Sequence, residues 1–223
     1  MLLSIIRQNQ KLAAKRNPAF DRNRFAKFLI YFMVAFWAAY LIFIGVMLSF
    51  AFEDIFPSME PYHIMNQGLI YLLILDFLLR FMLQPAMSQE IKPYLLMPVK
   101  KNKLVDTLLL QSGISSYNFF WFFLIVPFAL LTIIRFYGFT GILCYLCGIW
   151  LLMAMNSYWY LICKTLLNEK LLYILLPIGV YGLLAGTEFI PEGNPVSTFM
   201  MNLGEGFIEG NILAFLGVIA AIL

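Results

Sequence analysis

Long apolar segments separated by short polar connections dominate the pattern of this chain. A helix that crosses the hydrocarbon core of a membrane needs about 20 mostly apolar residues. Because only helices and closed barrels satisfy backbone hydrogen bonds inside a bilayer, the pattern predicts an all-α integral membrane protein, built as a six-span helical bundle. The predicted spans cover residues 28–52, 64–83, 107–134, 136–163, 171–187 and 207–223, with a kink at Pro127 in the third.

The first 27 residues have a different pattern from the transmembrane domain at 28–223. Leu2, Ile5 and Leu12 recur at helical spacing, and basic residues lie between them. This arrangement is typical of an amphipathic helix that lies in the inner membrane interface and contacts anionic lipid. We therefore predict an N-terminal interfacial helix; the alternative is that its charges act only as an orientation signal.

Composition agrees with a membrane protein. Of the 223 residues, 62% are hydrophobic and 12% are charged, whereas a soluble domain has about 45–50% apolar and about 25% charged residues. So few charged side chains could not cover the surface of a soluble globule of this size. Composition thus excludes a disordered chain, a disulfide-stapled secreted module and a nucleic-acid binder. The three cysteines lie in apolar segments and are predicted to be packing residues.

Lysine and arginine residues fall mainly on one side of the predicted spans. They concentrate in the first 27 residues, in the loop between spans two and three, and in the loop between spans four and five. The opposite loops are mostly acidic. Since cytoplasmic loops carry an excess of basic residues, we predict a cytoplasmic N-terminus. The expected location is the bacterial cytoplasmic membrane.

The sequence lacks the motifs of common membrane enzymes. No Gly-Lys dipeptide of a Walker-type phosphate loop is present, so the chain itself is not expected to hydrolyse ATP. His63 is the only histidine, which argues against a histidine-rich metal site or a Ser-His pair. We therefore predict no catalytic, cofactor-binding or metal-binding residues. A membrane transferase that uses outer carboxylates such as Glu53, Asp54 or Glu192 is a weaker alternative.

Two ionisable residues interrupt the second predicted span. Asp76 and Arg80 are four residues apart and so share one face of a helix. Charged residues inside a membrane are costly, and they usually face the protein interior and pair. We predict an intramembrane ion pair that fixes the inner end of this span. A gate, or a contact to a substrate head group, is the alternative.

The third predicted span begins with a stripe of small polar residues. Their spacing aligns them on a helix, which most often indicates close helix packing or contact with another subunit in a membrane. The alternative is the inner part of a transport pathway. The stripe consists of Gln111, Ser112, Ser115, Ser116 and Asn118.

The longest outer connection, residues 188–209, is rich in glycine and proline. Within it, Asn194-Pro195 is typical of a helix start. The apolar face that follows consists of Val196, Phe199, Met200 and Leu203. A short helix that dips into the outer leaflet is predicted. A plain surface loop is the alternative.

The loop between the second and third predicted spans carries an apolar segment between two prolines. An apolar tip exposed to water is unfavourable unless a partner covers it. The pattern predicts a cytoplasmic helix of one to two turns that binds a cytosolic protein. We define this coupling loop by Glu90, Pro93, Tyr94, Leu95, Leu96, Met97, Pro98, Lys100 and Lys101.

The coupling loop resembles the coupling helix of ABC transporter permeases of the type-2 exporter superfamily. The shared features are an acidic residue, a leucine-rich turn, Pro-Val, and Leu-Val before the third span. The layout is also similar, with an interfacial N-terminal helix, six spans and an elaborated loop between spans five and six. Ile91-Lys92 and Lys100 depart from residues that are common in the family. The matching residues are Glu90, Leu95, Leu96, Pro98, Val99, Leu104 and Val105.

The resemblance implies a transmembrane permease subunit of an ABC exporter. ATP and magnesium would then bind a separate ATPase subunit that grips the coupling loop. The permease would work within membrane lipid as a homodimer or with a second permease half, and the chain could be the first half of a longer permease. The alternative from another class is a non-transporting sensor or assembly subunit that only docks a cytosolic partner.

Overall fold

A computed structural model describes residues 8, 9, 12, 24–84, 101–187 and 194–222. Every regular element in these residues is a helix, which confirms the all-α prediction for this part of the chain. Two helices are long and apolar enough to cross a membrane, and there are up to five spans if each bent helix pair counts as one. These are the features of a multi-pass membrane protein. Most of the predicted interfacial helix lies outside the described residues.

The helices differ widely in length, because several predicted spans are broken into shorter pieces. Before residue 133 the helices are α1 (Arg24–Ile55), α2 (Pro61–Gln67), α3 (Leu69–Leu83), α4 (Lys101–Gly113), α5 (Ser116–Phe120) and α6 (Phe122–Thr132). After it come α7 (Ile134–Glu169), a 3-10 turn (Leu171–Ile174), α8 (Leu175–Gly186), α9 (Pro195–Ile208) and α10 (Ile212–Ile222).

Helix α7 lies at the centre of the bundle. It is 36 residues long, and helices α3, α4, α6, α9 and α10 all pack against it. Tyr145, Ile149 and Leu152 recur at helical spacing and are almost completely buried. Near its N-terminal end, Gly138 has φ 63° and ψ −163°, a backbone conformation that favours glycine. This residue bends the first turn away from the rest of the helix.

Helix α1 lies at the edge of the bundle and packs mainly against α6. Phe28, Phe32 and Phe36 form a stacked row on its exposed face. Such an apolar face suits contact with lipid rather than with water. At the α1–α6 contact, a Cβ atom added to Gly45 would lie 2.2 Å from the carbonyl oxygen of Leu124. Glycine therefore allows the two backbones to approach closely.

The second and third predicted spans are each broken. Helices α2 and α3 meet at Gly68 with a bend of 47°. In the third span, α4 ends at Gly113, and Ser115 caps α5 by accepting a hydrogen bond from a backbone N–H two residues later. A second break follows at Trp121. Pro127, where the sequence predicts a kink, lies inside α6.

The sixth predicted span, 207–223, is not one helix in the described residues. Its first two residues belong to α9, and α10 turns back at 117° to α9. Gly210 has φ 72° at the turn, and Asn211 Oδ1 accepts a hydrogen bond from the Leu213 N–H at 3.0 Å. These two local signals end α9 and start α10. The 11 residues of α10 extend about 16 Å at 1.5 Å per residue, roughly half of a bilayer core.

The helix start predicted at Asn194-Pro195 is confirmed. Asn194 Oδ1 accepts hydrogen bonds from the backbone N–H groups of Val196 and Ser197, at 3.0 and 3.1 Å, and Pro195 occupies the first turn. Helix α9 packs against α2 and α7. Of the predicted apolar face, Met200 is buried, Val196 and Leu203 are half-buried, and Phe199 is exposed.

We expect Gly45→Ala to destabilise the bundle, because its Cβ atom would overlap the α6 backbone. Overpacking of this kind costs about 1–3 kcal/mol. Gly179→Ala in α8 is the matched control, since an added Cβ atom there meets nothing within 4 Å. Thermal unfolding in detergent should show a lower midpoint for Gly45→Ala only. Equal midpoints for the two variants would contradict the close α1–α6 contact.

Candidate functional site

A buried ion pair lies in the second half of α3. Arg80 Nε donates a hydrogen bond to Asp76 Oδ2 at 2.7 Å, and the two side chains are 1% and 4% exposed. The residues are one helical turn apart, so the helix itself sets their separation. Either charge alone would be strongly unfavourable in this environment. The structure thus places in contact the two charged residues that interrupt the second predicted span.

The carboxylate of Asp76 connects α3 to two other parts of the bundle. Trp121 Nε1, at the junction of α5 and α6, donates to Asp76 Oδ1 at 2.8 Å. Asn156 Nδ2, in the middle of α7, donates to Asp76 Oδ2 at 2.8 Å and to the carbonyl oxygen of Leu73 at 3.0 Å. Together with Arg80, three donors occupy the carboxylate. They compensate for the water that burial removes from it.

The guanidinium of Arg80 reaches the break in the third predicted span. Its Nη2 donates to Asn118 Oδ1 at 2.7 Å, and Asn118 Nδ2 donates to the carbonyl oxygen of Gly113 at 2.5 Å. Gly113 is the last residue of α4, whose final carbonyl groups lack helical partners. Asn118 therefore satisfies the end of α4 and holds Arg80 at the same time.

Two further hydrogen bonds bring in helices α8 and α4. The Tyr181 hydroxyl of α8 donates to Asn156 Oδ1 at 2.6 Å. Ser112 Oγ of α4 and Ser157 Oγ of α7 are 2.7 Å apart and share a hydrogen bond. We use the name charged cluster for Asp76, Arg80, Asn118, Trp121, Asn156 and Tyr181.

A lysine of α7 binds the C-terminal end of α3. Lys164 Nζ donates to the carbonyl oxygens of Phe81, at 3.1 Å, and of Gln84, and the Tyr160 hydroxyl donates to the latter at 2.7 Å. The ammonium group also lies over the rings of Phe81 and Tyr160. A cation at a helix C-terminus is favourable. The fourth predicted span ends at residue 163, which places Lys164 in the loop that follows it. This prediction is wrong, because α7 continues to Glu169.

Two cavities lie on opposite sides of α3. One, of about 210 Å³, is lined by Asp76, Arg80 and Trp121 among others. The other, of about 240 Å³, has apolar walls between α3 and α8 and includes the ring of Tyr181. Their α3 residues are offset by two positions, or about 200° around the helix axis. The charged cluster thus extends from one cavity to the other.

The predicted polar stripe does not lie along one helix face, because α4 ends before Ser115. Ser112 and Asn118 are buried and hydrogen-bonded as described, whereas Ser115 caps α5. Gln111 is half-buried in α4. Ser116 begins α5, and its side chain is outside the described ones. Ser112 of the stripe therefore forms a hydrogen bond between two helices, Ser115 caps a helix, and Asn118 accepts a hydrogen bond from Arg80.

The coupling loop lies outside the described residues, except that Lys101 begins α4. This applies to Glu90, Pro93, Tyr94, Leu95, Leu96, Met97, Pro98 and Lys100. The described helices on either side of the loop are α3, which ends at Leu83, and α4. The charged cluster includes Asp76 and Arg80 of α3, and Asn118 of the cluster binds the last residue of α4.

Sequence reasoning missed four contributors to this region. Asn156 and Ser157 interrupt an apolar run in the middle of α7, and polar residues at that depth are the same signal that identified Asp76. Trp121 and Tyr181 gave no signal, because aromatic residues occur throughout the spans. Only the packing of α3 against α6, α7 and α8 shows which aromatic residues donate hydrogen bonds inward.

Two further polar contacts do not involve the charged cluster. Arg135 Nη1 donates to Glu53 Oε1 at 2.8 Å, on exposed side chains, and His63 Nδ1 lies 2.5 Å from Glu205 Oε1. In the described part of the chain, no three metal-ligating side chains come together. Glu53, one of the carboxylates considered for a transferase, forms the ion pair with Arg135. Glu192 lies outside the described residues.

Comparison with known proteins gives a family but no activity. Residues 10–223 match the model of a family described as a family of unknown function (DUF5687). No curated protein and no solved structure matches the chain. A functional assignment therefore depends on the geometry of the helices and on experiment.

We expect Arg80→Gln to destabilise the protein by about 3–5 kcal/mol, because it leaves a buried carboxylate without its cation. The double variant Asp76→Asn with Arg80→Gln removes both charges and should lose less. Chemical unfolding in detergent of the two single variants and the double variant measures the coupling. Strictly additive losses would show that the two side chains do not interact.

The exposed pair Glu53–Arg135 provides the matched control for this cycle. Both side chains are largely accessible, and an exposed pair contributes only about 0–1 kcal/mol. Arg135→Gln should therefore leave the unfolding midpoint almost unchanged. A loss as large as that of Arg80→Gln would mean that burial does not set the size of the effect.

Proposed function

The chain belongs to the DUF5687 family, and we propose that it is the membrane-embedded permease subunit of an ABC exporter, driven by a separate ATPase subunit. The observation that carries the proposal is the position of the charged cluster. It joins the two sides of the coupling loop, since Arg80 lies on α3 and Asn118 binds both Arg80 and the end of α4. A force applied to the loop would therefore reach the interior of the bundle.

The hydrogen bonds favour transmission over independent movement of α3. The end of α3 is bound to α7 through Lys164 and Tyr160, and α4 is bound to α7 through Ser112 and Ser157. A buried polar network is stable only when its donors and acceptors are paired, because each unpaired buried group costs free energy. Such a network therefore favours a few fully paired arrangements over intermediate ones. Displacement of the loop would thus move α3 and α4 together with their partners on α7, or exchange these bonds for another set. This behaviour suits a helix bundle that alternates between two states.

The proposal includes the finer architecture that the sequence predicts. The spans would be α1, α2 with α3, α4 to α6, α7, and α8, and α10 would be the described part of a sixth. The N-terminus would lie in the cytoplasm of a bacterial cell. ATP and magnesium would bind the partner ATPase, and the permease would function as a homodimer or with a second permease half.

Removing the apolar tip of the coupling loop should separate the permease from its ATPase. Burial of Leu95 and Leu96 in a partner contributes about 3–6 kcal/mol before entropic costs. The double variant Leu95→Ser with Leu96→Ser is therefore expected to lose ATPase binding by at least about tenfold and to lose stimulation of ATP hydrolysis. The assay is co-purification with candidate ATPases from the same genome, followed by hydrolysis measurements in liposomes.

The matched control replaces another pair of adjacent leucines. Leu171 and Leu172 are 79% and 73% exposed, so Leu171→Ser with Leu172→Ser removes similar apolar surface outside the coupling loop. This variant should bind and stimulate the ATPase as the wild type does. If the ATPase responded equally to both double variants, the proposed contact between the ATPase and the coupling loop would be contradicted. A cytosolic partner that is not an ATPase would favour a sensor or assembly subunit instead.

Cysteine labelling tests the proposed orientation. With Cys144, Cys147 and Cys163 replaced by alanine, Lys103→Cys should react with an impermeant thiol reagent only from the cytoplasmic side. Glu209→Cys should react only from outside. Both native side chains are exposed, so accessibility does not limit either reaction. Labelling of both positions from the same side would contradict the proposed topology.

A further inference from the structure

The cavity of about 210 Å³ beside the charged cluster combines a polar floor with an apolar mouth. Asp76 and Arg80 supply the polar groups, and Leu79, Leu83 and Tyr117 are among the other lining residues. Leu83 is 64% exposed and Tyr117 is 37% exposed. Exposed apolar side chains therefore border the mouth of the cavity.

One nitrogen of Arg80 is left without a partner in the described part of the chain. Its Nε and Nη2 atoms bind Asp76 and Asn118, whereas Nη1 is buried and makes no hydrogen bond. The guanidinium carries five N–H groups in a rigid fork. An unpaired buried donor costs about 1–3 kcal/mol, and more when it is charged. This nitrogen therefore requires an acceptor that the described residues do not supply.

Asp76 does not provide that acceptor, because its two oxygens already accept from Arg80 Nε, Trp121 and Asn156. Tyr117 presents its ring rather than a hydrogen-bond acceptor, since the guanidinium carbon lies 6.0 Å from the ring centroid. Neither residue therefore supplies an acceptor for Nη1, although Arg80 lines the cavity.

We propose that this cavity binds the acidic head group of a membrane amphiphile. A phosphate or carboxylate oxygen accepts from Arg80 Nη1, and the acyl chain leaves past Leu83 and Tyr117 into the bilayer. Arginine is suited to this role because its planar fork matches such oxygens. The cavity is smaller than the roughly 300–1,000 Å³ of sites that enclose a whole ligand. This volume suits a head group whose tail stays in lipid.

The proposal concerns binding and does not depend on an ATPase partner. It also does not require that the bound amphiphile be the exported molecule. A lipid is favoured over a free anion because exposed apolar side chains border the mouth. Failure of the coupling-loop experiment would leave this site unaffected, and failure of lipid binding would leave the coupling loop unaffected.

Native mass spectrometry of the purified chain in detergent tests the site. Phosphatidylglycerol and phosphatidylcholine with identical acyl chains are the two probes. The wild type should retain phosphatidylglycerol about tenfold more strongly than phosphatidylcholine, which corresponds to one charge-assisted hydrogen bond. Inorganic phosphate, added in excess, should not displace the bound phosphatidylglycerol.

Two tryptophan variants separate the cavity from the general surface. Leu83→Trp places a large ring in the mouth without changing the ion pair and should remove most of the selective retention. Leu78→Trp is the matched control, because Leu78 is 52% exposed on the opposite side of α3. It should retain phosphatidylglycerol as the wild type does. Arg80→Lys, which keeps the charge and loses the fork, should also lower retention.

Several results would overturn the proposal. Equal retention of the two lipids would show that the site does not recognise an acidic head group. Displacement by inorganic phosphate would show that the site binds a free anion. Equal behaviour of the two tryptophan variants would place lipid binding elsewhere. If Leu83→Trp instead changed a dimer into a monomer with retention unaltered, a second copy of the chain would be the occupant of the cavity.

Discussion

The structure depends on how a membrane helix bundle accommodates one buried positive and one buried negative charge. Removing Asp76 and Arg80 from water carries a large desolvation penalty, which is offset only if almost all of their hydrogen-bonding groups find partners. Those partners come from the α5–α6 junction, from α5 and from α7. The need to satisfy two charges therefore brings together helices that would otherwise slide on apolar surfaces.

The irregular features of the bundle follow from the same requirement. The third predicted span is divided between α4, α5 and α6, and the breaks expose backbone carbonyl groups that would be costly in lipid. Asn118 satisfies the end of α4 and binds Arg80, while Trp121 occupies the next break and binds Asp76. Each break thus places a side chain where the ion pair needs one, and the ion pair in turn stabilises the break.

Polar contacts and close glycine packing both hold the bundle together. Toward the coupling loop, polar contacts connect α3 and α4 to α7, and Lys164 binds the end of α3. Elsewhere in the bundle, glycine permits close packing, as at Gly148, where an added Cβ atom would lie 2.2 Å from the ring of Phe207.

The sequence by itself determined the all-helical architecture, the pairing of Asp76 with Arg80 and the start of α9 at Asn194, because each depends on spacing within one segment. It also contained the turn at Gly210-Asn211, whose local signals outweigh the apolar run around them. Only the tertiary structure decided that the third span breaks at Trp121, and that Trp121, Asn156 and Tyr181 complete the charged cluster. Those outcomes depend on which helices pack against α3, and apolar periodicity carries no information about the choice of neighbour.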